Sequence, residues 1–152
     1  MGSTWESYLG WTIDEKATLE NVLLSTIEEN VATKKEQSTI VMLGCNHGNI
    51  SRIVANQLTR YKPRIIAIDN CVEALRKGIV KEETIIHREK ISYQYGDARK
   101  IGFHPQYQNI ADLVTLNFLP SNVPKRDQTI LFKSAVNILK AKGKLVFVDP
   151  DP

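Results

Sequence analysis

From residue 39 onward, short apolar runs alternate with stretches in which apolar positions recur every three or four residues. "TIVML" (39–43), "RIIAID" (64–69), "KISYQYG" (90–96), "ADLVTLNFL" (111–119) and "KLVFVD" (144–149) have the length and β-branched content of strands. "GNISRIVANQLTRY" (48–61) has helical spacing, with Ile50, Ile53, Val54 and Leu58 on the inward face, and "VEALRKGIV" (72–80) and "DQTILFKSAVNILKA" (127–141) also read as helices. Upstream, residues 13–31 place Ile13, Ala17, Leu24, Ile27 and Val31 at helical intervals with Leu23 beside them. Glu20 and Asn21 interrupt that stripe, and the polar "ATKKEQS" ends it. Several strands are almost wholly apolar, as expected when helices cover both faces of a sheet. Strands alternating with helices give βαβ units, so the expected fold is α/β and doubly wound, with a mostly parallel sheet and right-handed crossovers. The 152 residues suit one domain: an N-terminal helical segment over 1–36, then the α/β body over 37–152.

Composition narrows the class without naming an activity. Apolar residues make up 42% and charged residues 24%, an ordinary globular balance. The net charge of +3 comes from bases that are scattered (Arg52, Arg60, Lys62, Arg64, Arg76, Lys77, Arg99, Lys100), which suits a solvated surface better than a nucleic-acid stripe. "KEETIIHREK" (81–90) likewise reads as a solvated helix or loop face. Cys45 and Cys71 form no disulfide framework, and with His47, His87 and His104 they show no metal-ligand spacing, so neither a disulfide nor a metal is expected. No apolar stretch approaches the roughly 20 residues of a membrane helix. The first residues lack the basic-then-apolar pattern of a signal peptide. The expected setting is cytoplasmic and reducing.

A doubly wound sheet binds ligands beyond the carboxyl ends of its strands, so the residues just after each strand carry the candidate chemistry. After the first strand comes Gly44-Cys45-Asn46-His47-Gly48. A dinucleotide fingerprint would need glycine at 46 and 49 as well as 44; Asn46 and Asn49 disfavour it, and with it a nicotinamide-dependent oxidoreductase. Asparagine tolerates left-handed backbone better than most residues, so Asn46 can hold a glycine-like turn. The segment is either a cofactor loop or a tight turn. Asp69 ends the second strand, where a carboxylate can accept from both hydroxyls of a ribose. The plainer role is a helix N-cap in "DNCVEAL"; both roles coexist if Asn70 caps and Asp69 faces the cleft. Gly96-Asp97-Ala98 is a common turn, or a carboxylate and an N–H placed for an adenine. Asn117-Phe118-Leu119-Pro120 is a strand end entering a loop, or an acceptor-positioning amide with a ring to stack on a planar group.

Taken together and in order, these residues resemble the Rossmann-like (class I) S-adenosylmethionine-dependent methyltransferases, over residues 37–149. "ILKAKGKLVFVD" is similar to that family's last helix, glycine turn and fifth strand. The resemblance implies strand order 3-2-1-4-5 and S-adenosylmethionine as cofactor. It implies that Gly44, Cys45, Asn46 and Gly48 line the methionine and ribose end, that Asp69 with Asn70 holds the ribose, and that Asp97 and Ala98 hold the adenine. Asn117 would face the reacting methyl and position the acceptor. The implied reaction is in-line methyl transfer to a small molecule or an RNA base, which depends chiefly on near-attack geometry. The N-terminal aromatics Trp5, Tyr8 and Trp11 would form a lid over the cofactor, or pack on the first helix. Two positions depart from the family pattern. Met42 stands where an acidic residue usually holds the cofactor's amino group, a loss of about 1.5–3 kcal/mol, and Asn46 replaces a glycine. The family's C-terminal antiparallel strand pair is also missing, so the fifth strand is expected at an edge that a homodimer partner or further chain covers. The alternative reading is a non-catalytic methyltransferase-like module for binding or subunit interaction.

Overall fold

A computed structural model describes residues 13–148 apart from His87 and Phe118, and for residues 13–19, Ser121 and Val148 the backbone alone. The chain runs α1 (Ile13–Ala32), β1 (Thr39–Leu43), α2 (Asn49–Gln57), β2 (Arg64–Asp69), α3 (Val72–Glu82), β3 (Ser92–Tyr95), β4 (Ala111–Asn117), α4 (Leu119–Asn122), α5 (Gln128–Ile138) and β5 (Leu139–Val148). The five strands form one sheet in the order β3-β2-β1-β4-β5, and every neighbouring pair is parallel. The parallel sheet is what the alternating pattern predicts, and its strand order is the one that the resemblance implies. Both β1 and β2 begin and end at the predicted residues.

Side-chain alternation along β1 divides the core. Ile40 and Met42 face one layer with Leu23, Ile27 and Val31 of α1, Val54 of α2, Leu58 just after it, and Leu75 of α3. Val41 and Leu43 face the other, with Leu131, Ala135 and Ile138 of α5 and Ile101 from a 3-10 turn after β3. All five residues of β1 are buried, which explains why a central strand carries no polar residue except Thr39 at its start. Helix α1 is thus part of the same core as the sheet. Among the described residues no helix is long and apolar enough to cross a membrane.

Two predicted features need correction. The last helix was expected to reach residue 141, but α5 stops at Ile138 and β5 starts at once with Leu139. Leu139 pairs with Ala111, the register then slips so that Lys144 pairs with Leu113, and Lys140 reaches Asp112 at 3.2 Å. Helix propensity in "LKAK" yields to these ladder and ion-pair contacts. Gly143 permits the slip, because a Cβ there would stand 2.9 Å from the Ala111 carbonyl oxygen.

The second correction concerns two residues within 81–90, a segment expected to present a solvated helix or loop face and largely exposed as such. Glu82 and Arg88 form an ion pair at 2.8 Å with both side chains only 5% exposed. Glu82 also accepts from the Ile91 N–H at 2.9 Å, and Arg88 Nε donates to Asn56 Oδ1 at 2.9 Å. A pair this buried holds because each charge has several hydrogen-bond partners.

Candidate active site

The sheet register sets Asp69, Gly44 and Asn117 side by side. Leu43 of β1 lies opposite Ile68 of β2 and Leu116 of β4, so the next residue of each strand falls in one row across the carboxyl end of the sheet. The turn that leaves β1 has left-handed backbone at three alternate positions: Gly44 (φ 74°), Asn46 (φ 54°) and Gly48 (φ 81°). Asn46 therefore does the backbone work of a glycine, as its chemistry predicts. The N–H groups of Gly44 and Cys45 both donate to the Ile68 carbonyl, at 2.9 and 3.1 Å, anchoring the start of the turn to β2. Leu119 of α4 lies against Gly44, its Cδ1 3.3 Å from where a Cβ would be.

Asp69 ties the turn to its neighbour. Its Oδ2 accepts from the Asn46 N–H and its Oδ1 from the Cys71 N–H, each at 2.8 Å. One backbone donor on each oxygen leaves acceptor capacity on both. The cap of α3 differs from expectation: Cys71, not Asn70, is the N-cap residue, and it has no side-chain cap bond. Asn70 is exposed. The loop that Asp69 makes by reaching the N–H two residues on satisfies the turn without an Asn70 cap.

Asn117 is 9% exposed, and its Oδ1 has no hydrogen-bond partner among the described residues. A buried amide oxygen left unpaired is costly, and it marks where a donor from outside the chain would be welcome. Asp97 is differently placed. Arg99 donates to its Oδ1 from the backbone N–H at 2.9 Å and from Nε at 3.1 Å, and to its Oδ2 from Nη2 at 2.9 Å. The same guanidinium reaches Asp127 Oδ2 at 3.0 Å, just before α5. Hydrogen bonding from Arg99 holds the Asp97 carboxyl below the usual range. Ala98 packs against the α5 side of the core. Burial, and secondarily the Asp69 charge, pushes the Cys45 thiol well above its ordinary value, so Cys45 is no thiolate nucleophile. Phe118, Asp149 and the aromatics Trp5, Tyr8 and Trp11 lie outside the described residues.

The sequence of residues 41–147 matches the family described as "Methyltransferase domain". The chain belongs to the methyltransferase-domain family. Solved structures agree on the fold. The PH0226 protein from Pyrococcus horikoshii OT3 superposes with a TM-score of 0.70 at 17% identity, covering 95% of this chain and 66% of that one. A SAM-dependent methyltransferase from Methanosarcina mazei gives 0.65 at 21%, covering 80% and 55%. The geranyl diphosphate C-methyltransferase from Streptomyces coelicolor A3(2), solved with Mg2+, geranyl diphosphate and S-adenosyl-L-homocysteine, gives 0.66 at 16%, covering 89% and 48%. The chain thus spans between 48% and 66% of the length of these three structures. No curated protein matches it.

S-adenosylmethionine is the cofactor that membership of the methyltransferase family carries with it. The turn with three left-handed positions, the spare acceptor capacity of Asp69 and the unpaired Asn117 oxygen suit it. Met42 does not add to the fit: it is fully buried among core residues and offers no charge. Local reading gave no sign of Arg99 reaching Asp127, nor of Arg52 and Tyr93 bracing the glycine turn (Arg52 Nη1 donates to Tyr93 Oη at 3.2 Å). Partners 28 and 41 residues away explain that silence.

Proposed function

We propose that this chain is the catalytic body of an S-adenosylmethionine-dependent methyltransferase acting on a small molecule or an RNA base. The observation that carries the reading is the row Asp69, Gly44 and Asn117 at the carboxyl end of the sheet, with the Asn117 oxygen buried and without a partner among the described residues. When bound, the cofactor supplies a methyl group on a sulfonium that is already a good leaving group. The chain's part is to bind and orient. Gly44, Cys45, Asn46 and Gly48 give the cofactor backbone to lie on, and Asp69, beside Asn70, accepts from the ribose hydroxyls. Asp97 and Ala98 face the adenine, and Asn117 orients the acceptor. Fixed alignment of donor and acceptor supplies most of the rate for such a displacement, so no general base is required of the chain.

The runner-up is a non-catalytic module of the same fold. It is favoured by Met42 at a buried core position and by Arg99 occupying both oxygens of Asp97. In either reading we propose that a further strand or a second copy of the chain covers β5, whose Phe147 is 54% exposed at the sheet edge.

Calorimetric titration with S-adenosylhomocysteine separates the two. The expected result is binding by the wild type, and a weakening of about ten- to a hundredfold in Asp69→Ala, the loss of hydrogen bonds to a charged group. Asp69→Asn retains one acceptor and should fall between. No binding by the wild type at millimolar ligand overturns the enzyme reading. Binding indifferent to Asp69→Ala overturns the residue assignment, and competition by NAD would reopen the nicotinamide reading.

A further inference from the structure

Arg52 stands near the start of α2, where the helix dipole disfavours a cation. It is kept there by the loop it folds back upon. Its Nη1 donates to the His47 carbonyl at 2.6 Å and to Tyr93 Oη at 3.2 Å, and its Nη2 donates to Asn49 Oδ1 at 3.0 Å. Nη2 also stands 3.5 Å from His47 Nδ1. Tyr93 comes from β3, two strands away from β1. Its ring occupies space that two glycines leave open. A Cβ on Gly48 would overlap the Tyr93 hydroxyl, and a Cβ on Gly78 of α3 would stand 2.8 Å from Tyr93 Cε1 and 3.1 Å from the His47 carbonyl. Burial pushes the Tyr93 phenol up to about 12, so it stays protonated and neutral beside Arg52 near pH 7. The far side of the same turn is pinned by Asp69 through the Asn46 N–H.

We infer that Arg52 and Tyr93 form a latch that holds the turn 44–48 in its binding conformation, making both of them positioning residues for the cofactor. The inference rests on the proposed cofactor role of that turn. Its physical logic is preorganisation. A turn with three left-handed positions has many alternatives open to it in solution, and two of those positions are glycine. Fixing the turn before the ligand arrives removes an ordering cost from binding. That matters more in a chain where Met42 brings no charge to the site. Arg52 suits the task better than lysine would, since one planar guanidinium serves three acceptors at once.

The test uses the full chain and the variants Arg52→Ala, Arg52→Lys and Tyr93→Phe. Amide hydrogen exchange and S-adenosylhomocysteine titration are read on each. The Gly48 N–H donates to the Cys45 carbonyl at 2.9 Å, so its protection reports whether the turn is closed. Arg52→Ala should speed exchange at Gly48 while leaving core amides of β4 unchanged, and should weaken ligand binding about tenfold. Arg52→Lys should recover part of both effects. Tyr93→Phe keeps the ring between the glycines and is the variant least able to unfold the chain; it should show the same changes to a smaller degree. Unchanged Gly48 exchange in Arg52→Ala overturns the latch whether or not the wild type binds ligand. Faster exchange with unaltered affinity leaves a structural brace and overturns the positioning role. A wild type that does not bind sinks the cofactor role of the turn, while the exchange data still judge the latch.

Discussion

Gly102 shows how little room a single position can have. Its N–H donates to Ser134 Oγ at 2.9 Å, and an added methyl would fall on the Ser134 carbonyl of α5. Gly102→Ala must push the 3-10 turn off the helix, and a loss of about 1–3 kcal/mol is expected, read as a lower urea midpoint with unchanged slope. Asp97 offers a second check, by pH. Arg99 lowers its folded pKa, so the stabilisation from the pair is present above the ordinary carboxylate value of about 3.9 and is lost as pH falls through the lower, folded value. Arg99→Gln should move the Asp97 titration, followed by carboxyl NMR, back up towards the ordinary range. A titration that stays put would mean that Arg99 does not hold the carboxylate in solution. Residues of this kind were only half legible. The sequence pointed to Asp97 as an acceptor, but the guanidinium that claims it is aligned by Asp127 at the start of α5, a partner that local reading does not reach.

At the level of elements, α3 is joined to β3 through charge as well as through apolar packing. Glu82 closes the helix, Arg88 lies in the connection, and the Ile91 N–H at the foot of β3 donates to Glu82. Glu82→Ala strands a buried guanidinium, and a loss of about 3–5 kcal/mol in chemical denaturation is expected. Adding Arg88→Ala to Glu82→Ala should restore part of that loss, because the stranded charge goes with it. If the double variant is no more stable than the single one, the burial of the pair contributes nothing of its own. The elements themselves were well predicted where periodicity is local, as in α1 and β1. They were misjudged where a distant partner decides: Leu139 joins a strand because Ala111 is there to pair with it.

At the scale of the whole molecule, the described residues form a five-stranded sheet with two edges, β3 and β5, and they differ in character. β3 is short and polar, "SYQY", whereas β5 runs for ten residues and ends in "LVFV". Phe147 packs edge-to-face on Phe132 at 5.5 Å yet stays half exposed, and Val136 of α5 is 54% exposed as well. The apolar end "LVFV" of this edge, which follows Lys140, Lys142 and Lys144, is the part open to pairing. Sedimentation velocity should therefore show this chain self-associating at high micromolar concentration. Phe147→Lys should weaken that association roughly tenfold or more, since burying one such ring contributes about 1.5–3 kcal/mol. A strictly monomeric wild type would remove β5 from consideration as an interface between copies.

The sequence by itself determined the α/β class, the order of its strands and longer helices, and the left-handed turn after β1. Each of these depends on neighbours within a few residues: alternation of apolar positions, and a glycine or asparagine where φ must be positive. Only the tertiary structure decided which groups are already engaged and which are left open. Asp97 is held by Arg99, Tyr93 reaches across two strands to Arg52, and the Asn117 oxygen, in a row with Gly44 and Asp69, has no partner among the described residues. Those outcomes depend on parallel register between strands far apart in the chain, and hydrogen-bond satisfaction becomes definite only once that register is set.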